Sequence, residues 1–237
     1  MLYITFMEIS KYYSPNYNKK TRSSKSITAI ILHYTGMQSE RESIKRLTNH
    51  KSKVSCHYLI NRRGMIIKLV NERYVAWHAG KSMWKNYKNL NENSLGIELV
   101  NKGHKYGYQS FTKKQITKLV RLCKKLKKKY KIKNNLILGH SDISPLRKID
   151  PGEKFPWGYL SSKGIGIYPK KNLNISIGKK IVEKKKFIKN LWKIGYRYLN
   201  VGDKKKIIKN FQRRYRQKQV TGILDQETYK IREFLAK

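Results

Sequence analysis

The sequence predicts a mixed α/β fold, a central β-sheet flanked by helices, followed by a small three-helix unit. Three observations lead there. Short β-prone apolar runs alternate with helical periodicities through the first two-thirds of the chain. A turn signal, Asn61-Arg62-Arg63-Gly64, sits between two such runs and marks a hairpin. Beyond residue 185 the apolar positions recur only at helical spacing.

Taken in order, residues 1–26 are polar and irregular, with Ser14-Pro15-Asn16 as a turn signal. The run 27–32 (ITAIIL) is continuous and apolar, as in a strand buried on both faces, and stops at His33. Residues 39–50 read as a helix: Ser39 suits the N-cap and Glu42 follows three residues later. Residues 56–60 and 65–70 form the two arms of the hairpin, and 94–100 (SLGIELV) is another strand. Phe111, Ile116, Leu119, Val120, Leu122, Cys123, Leu126 and Tyr130 recur at helical spacing, which leaves Lys113, Lys114, Lys118, Arg121, Lys125 and Lys128 on a solvated face. A short strand at 136–138 runs into Gly139-His140, and a loop rich in Pro, Gly and Asp follows to about 158.

The stretch 161–179 has the composition of a linker or a departing arm. Three helices then centre on Phe187, Leu191 and Ile194, on Ile207, Ile208 and Phe211, and on Ile231, Phe234 and Leu235. Asp225 fits the N-cap of the last of them, with Gly222 supplying the turn before it. A first domain over 1–175 and a helical domain over 181–237 follow, with the boundary near 175–185; about 55 residues in three helices is a marginal but feasible core.

Composition excludes several classes. Of 237 residues, 55 are Lys or Arg and 14 are Asp or Glu, a formal net charge of +41, yet 17 Tyr and 4 Trp supply core material that a disordered basic tail lacks. Cys56 and Cys123, the two cysteines, neither build a disulfide scaffold nor have zinc-finger spacing. No apolar run reaches the ~18 residues of a membrane span, and no secretory signal is visible, so the expected compartment is the cytoplasm by default, with export by another route as the alternative. The charge attracts polyanions in general. It is spread along the chain, so it does not specify a nucleic-acid partner. Oligomeric state is open.

Three positions carry candidate chemistry. His33 and His140 each stand at the end of a strand, and Asp150 opens a DPG turn ten residues beyond His140. Two imidazoles and a carboxylate are the ligand set of an open zinc site. A strand-end histidine alone is more often a hydrogen-bonded structural residue; the joint appearance of these three raises the metal reading, and spacing leaves both standing. His50 and His104 fall outside every motif and are expected to be solvated.

The blocks HYTG at 33–36, CHYLI at 56–60, AWHAG at 76–80, NSLGIEL at 93–99 and GHSDISPLRKIDPG at 139–152, with Phe155 and Trp157 after them, occur in this order. Over roughly residues 20–160 the chain resembles the zinc-dependent N-acetylmuramoyl-L-alanine amidases of the AmpD/AmiD type, the amidase-2 family. Their fold is shared with phage lysozyme-amidases and peptidoglycan recognition proteins. Ser14-Pro15-Asn16-Tyr17-Asn18 looks closer to the AmiD branch. Phe211-Gln212 and TGILDQET at 221–228 resemble the three-helix peptidoglycan-binding domain that accompanies such enzymes.

The resemblance implies one zinc ion held by His33, His140 and Asp150, with Asp142 the competing carboxylate but a structural or ligand-orienting group by the family pattern. It implies Glu98 as catalytic acid–base and Lys148 as the cation that stabilises the oxyanion. An acid in an otherwise apolar strand is anomalous in its own right; Lys148 is singled out by the motif alone. His57, Trp77, His78, Trp84 and Asn93 fall in blocks that line the family's substrate groove. The implied substrate is peptidoglycan or anhydro-muropeptide, cleaved between N-acetylmuramoyl and L-alanine. The alternative is a recognition protein that binds muropeptides without cleaving them; such relatives typically lack a metal ligand, and this chain has all three.

Overall fold

In the computed structural model, residues 9–11, 13–169, 183–199 and 203–236 are described. Most of the expected domain boundary, near 175–185, lies in 170–182, outside them.

Ten strands and seven α-helices are described. The strands are β1 (Ile9–Lys11), β2 (Tyr17–Asn18), β3 (Ala29–Tyr34), β4 (Tyr58–Ile60), β5 (Ile66–Lys68), β6 (Val75–Ala76), β7 (Met83–Trp84), β8 (Tyr87–Lys88), β9 (Ser94–Leu99) and β10 (Ile137–Gly139). The helices are α1 (Glu40–Thr48), α2 (Lys113–Tyr130), α3 (His140–Ile143), α4 (Trp157–Ser162), α5 (Lys184–Ile194), α6 (Lys204–Tyr215) and α7 (Gln226–Leu235). Six strands form one sheet in the order β1-β5-β4-β9-β3-β10. The β4–β5 hairpin is antiparallel and the other four pairings are parallel, so the sheet is mixed, as expected.

Helices α1, α2, α6 and α7 begin at residues whose side chains cap them. Ser39 accepts from the Glu42 amide at 3.1 Å, and Glu42 accepts from Gln38 N–H at 3.1 Å. Thr112 and Gln115 form a reciprocal capping box at the start of α2. Asp225 accepts from the Thr228 amide at 2.9 Å, as read from the sequence. Helix α2 turns Ile116, Leu119, Val120, Leu122, Cys123 and Leu126 onto the sheet and leaves its lysines outward. The buried apolar residues of β3 and β9 and of α5–α7, including Phe187, Leu191, Phe211 and Ile231, belong with Tyr196 to one hydrophobic cluster.

Three local readings are corrected. The N-terminal stretch contributes β1, paired in parallel with β5, and β2, paired with β6. The strand at 27–32 continues through His33 to Tyr34 because β9 pairs with it that far. The loop after His140 begins as the short helix α3, where the Asp142 carboxylate accepts from Gly139 N–H at 2.7 Å.

A candidate metal centre

Register builds the site. In the parallel pair β3–β9, His33 lies opposite Glu98, so both side chains leave the same face of the sheet. On the other flank of β3, Gly139 lies opposite Leu32, which brings the next residue, His140, level with His33. Residues 107 apart thus meet at the carboxyl ends of parallel strands, the usual location of ligand sites in such sheets.

His33 Nδ1 and His140 Nδ1 are 3.0 Å apart, and each is 3.1 Å from Asp150 Oδ2. All three residues are buried. Their outer atoms fix the tautomers. His140 Nε2 is 3.0 Å from the Ala79 carbonyl, which only accepts, so that nitrogen carries the hydrogen and Nδ1 bears a lone pair. His33 Nε2 donates to His78 Nδ1 at 3.1 Å, and His78 Nε2 then faces Ser94 Oγ at 3.4 Å. Ser94 in turn donates to the Leu90 carbonyl. The chain of donors runs away from the centre and leaves two imidazole lone pairs and a carboxylate oxygen converging on one point. Three acceptors without a shared proton repel one another unless a cation lies between them. Ligands about 2.0–2.1 Å from a tetrahedral zinc stand about 3.3 Å apart, close to the separations here. The donor set therefore fits a divalent metal with borderline-soft preference.

Electrostatics agree. Burial, then the neighbouring His140, lowers the His33 pKa to about 4 despite Asp150. Burial by itself raises Asp150, but the His140 and His33 rings outweigh it and hold the carboxyl well below the usual range. Burial pushes Glu98 up to about 8, reinforced by Asp150 and opposed by Lys148 and Arg46. Glu98 Oε2 is buried with no hydrogen-bond partner among the described residues. A carboxyl so placed holds and releases a proton near neutrality.

The centre opens on a groove of about 430 Å³. Trp77, His78, Glu98, His140, Lys148 and Asp150 line it, together with Tyr34, Arg46, Lys105, Tyr106 and Arg147. The other three expected groove residues lie elsewhere. His57 is buried behind His78, accepting from Gly96 N–H at 3.0 Å, and burial and Arg22 lower its pKa to about 3. Trp84 is buried against Tyr196, 4.9 Å between ring centroids, and fills the space beside Gly195, where a Cβ would come within 2.4 Å of the indole. Asn93 uses its backbone carbonyl to start the β3–β9 pairing, accepting from Thr28 and Ala29. Motif membership located these residues near the site but did not separate groove walls from the scaffold behind them.

Asp142 is not among the converging ligands. Its carboxylate accepts from Gly139 N–H, from the Tyr196 hydroxyl at 2.8 Å and from Arg214 at 2.8 Å. His104 is not solvated as expected: it bonds Tyr34 and Glu153 and stacks on Tyr108. His50 is exposed.

Sequence reasoning also missed Asn91, whose Oδ1 accepts from the backbone amides of His78 and Ala79 at 3.0 and 2.7 Å and so sets the turn that supports both histidine rings. Its neighbours in LNENSLGIEL gave the signal, but Asn93 was the asparagine picked out. Gly96 has a steric role in the same place: a Cβ there would lie 2.4 Å from the His78 ring.

A family model described as N-acetylmuramoyl-L-alanine amidase (Amidase_2) matches residues 23–153. The chain is 34% identical over 230 residues to the N-acetylmuramoyl-L-alanine amidase AmiD of Escherichia coli, covering 88% of this chain and 82% of that one. It is 34% identical over 168 residues to the 1,6-anhydro-N-acetylmuramyl-L-alanine amidase AmpD of Haemophilus influenzae, covering 63% and 89%. The solved complex of E. coli AmiD with the substrate anhydro-N-acetylmuramic acid-L-Ala-D-gamma-Glu-L-Lys superposes with a TM-score of 0.81 at 31% identity, covering 92% of this chain and 91% of that one. AmpDh3 of Pseudomonas aeruginosa gives 0.80 at 29%, covering 93% and 95%. Matched by the family model over more than half its length and by AmiD over most of both chains, this chain belongs to the N-acetylmuramoyl-L-alanine amidase family.

Proposed function

We propose that the protein hydrolyses the amide joining N-acetylmuramic acid, or its 1,6-anhydro form, to the L-alanine of the stem peptide, using one zinc ion held by His33, His140 and Asp150. The observation that carries this is the convergence of two imidazole nitrogens and a carboxylate oxygen near Glu98, whose Oε2 has no hydrogen-bond partner among the described residues. Zinc bound there would supply Lewis-acid chemistry, polarising the scissile carbonyl and making water acidic near neutral pH.

The side chains account for the remaining steps. Glu98 takes a proton from the attacking water and hands it to the departing alanine nitrogen, a task suited to a carboxyl poised near 8. Lys148 offers a fixed cation to the oxygen that gains charge in the tetrahedral transition state. Trp77, half-buried on the groove wall with its indole N–H donating to Asn18 at 2.8 Å, presents a flat face to a sugar ring or peptide plane. The products are the muramoyl acid and a peptide with a free L-alanine amine. Relatives bind anhydro-muropeptide fragments, which supports that substrate class for this groove. Helices α5–α7 form a peptidoglycan-binding unit that raises the local concentration of polymeric wall.

The test is incubation with a soluble anhydro-muropeptide and with insoluble sacculi, read by mass spectrometry. Release of an alanine-terminated peptide, stopped by a chelator and restored by zinc, is expected. Intact substrate with zinc-loaded protein would favour recognition without cleavage, and undiminished cleavage after chelation would remove the metal.

A further inference from the structure

The segment between β10 and α4 carries His140, Lys148 and Asp150, yet only α3 at its start is regular structure. Beyond it, few backbone bonds hold the chain: Ser141 N–H reaches the Asp150 carbonyl at 2.9 Å, Arg147 and Lys148 N–H reach the Ser144 carbonyl at 3.1 and 2.9 Å, and Phe155 N–H reaches the Gly152 carbonyl at 3.3 Å. Side chains add to them: Ser144 and Arg147 donate to the Lys81 carbonyl, and Tyr108 donates to the Pro151 carbonyl at 2.6 Å. Further support comes from a helix more than sixty residues away. The Asn210 amide, on α6, donates to the Pro145 carbonyl at 2.6 Å and to the Lys148 carbonyl at 2.8 Å. Its own Oδ1 accepts from Arg213 at 2.9 Å, so both amide hydrogens and one acceptor position are used, and the residue is 1% exposed. One turn on, Arg214 pairs with Asp142 and also donates to the Ile137 carbonyl at 3.1 Å. Gln217, just beyond α6, donates to the Phe155 carbonyl at 2.5 Å.

A buried amide that bridges two carbonyls three residues apart does more than fill space: it fixes the turn between them. That turn delivers the Lys148 side chain to the groove. Resting on the amidase reading of this site, we infer that Asn210 is a positioning residue, and that helix α6 is in this way part of the catalytic apparatus. The helical unit then has a role in the reaction that is separate from any grip on polymeric wall. A displacement of about 1 Å at a catalytic group costs up to ~10²-fold in rate.

Asn210→Ala should lower kcat about tenfold to a hundredfold with KM and zinc stoichiometry little changed. In a Lys148→Ala background the same change should cost less than about twofold, since residues acting as one unit are not additive. Asn210→Ser, which can still hold one carbonyl, should recover part of the loss and serves if the alanine variant folds poorly. Hydrogen exchange of the 144–150 peptide supplies a readout independent of catalysis, and should accelerate about tenfold or more in Asn210→Ala. Unchanged exchange, or a loss of kcat that carries through undiminished into the Lys148→Ala background, overturns the inference. Faster exchange in a protein whose wild type cleaves nothing would retire the amidase reading and leave Asn210 as the brace of this loop.

Discussion

The two banks of the groove are built by different means. His33 and Glu98 stand on β3 and β9, where the parallel ladder fixes backbone position and the register alone puts them side by side. His140, Lys148 and Asp150 stand on a loop held largely by side-chain bonds: from α6 and Tyr196, from Tyr108, and from its own Ser144 and Arg147 to the Lys81 carbonyl. Backbone pairing is robust to most substitutions, because every residue contributes the same bonds. A loop held by a few buried amides and one ion pair depends on each of them. One bank should therefore fail only when its own functional side chains change, and the other also when distant residues do.

The largest effect removes a ligand. His33→Ala and His140→Ala, one on each bank, should both lose bound zinc and with it about a thousandfold or more of activity, by metal analysis and peptide release. Full zinc in either would take that ring out of the site. Next, Glu98→Gln, on the sheet bank, should keep zinc and stability while kcat falls about 10²–10³-fold. Near-normal turnover would remove Glu98 from the mechanism.

Arg214→Met breaks the comparison open from the loop side. It leaves Asp142 buried without its cation and should cost about 3–5 kcal/mol of stability, with zinc affinity down about 10–100-fold, although Arg214 touches no ligand. A fall in melting temperature with unchanged zinc affinity would show that the two banks are equally self-supporting.

The smallest effect lies away from the groove. Glu72 is buried among Lys129, Tyr130 and Tyr58; burial raises its carboxyl, but their hydrogen bonds outweigh it and lower the pKa to about 2. A carboxyl lowered on folding contributes stability that is full above its unfolded pKa, about 4.5, and is lost as pH falls toward 2. Lys129 is half exposed, which discounts the shift to on the order of 2 kcal/mol. Glu72→Gln should flatten the acid limb of the stability–pH curve between about 4.5 and 2 without moving zinc content, and an unaltered limb would deny the cluster that role.

The sheet bank was legible in the sequence because strands announce themselves: apolar runs at 27–32 and 94–100 end at, or contain, the polar residues that matter. Ser39 and Asp225 marked helix starts for the same local reason. The loop bank was legible only through its resemblance to a family, since no local rule brings Asp150 back to His33. Asn210 and Arg214 were not legible at all: in a chain with 55 basic residues a buried arginine looks like any other, and a helical asparagine shows nothing of the carbonyls it meets. Trp84 misled for the converse reason, as an aromatic inside a motif can serve the core as well as the groove.

Zinc analysis of the dialysed wild-type protein beside Asp150→Ala tests the account most directly, because Asp150 Oδ2 lies against one ring from each bank. One zinc per chain in the wild type and none in the variant is the predicted result. A wild type that takes up no zinc, or a variant that retains it in full, would contradict the account.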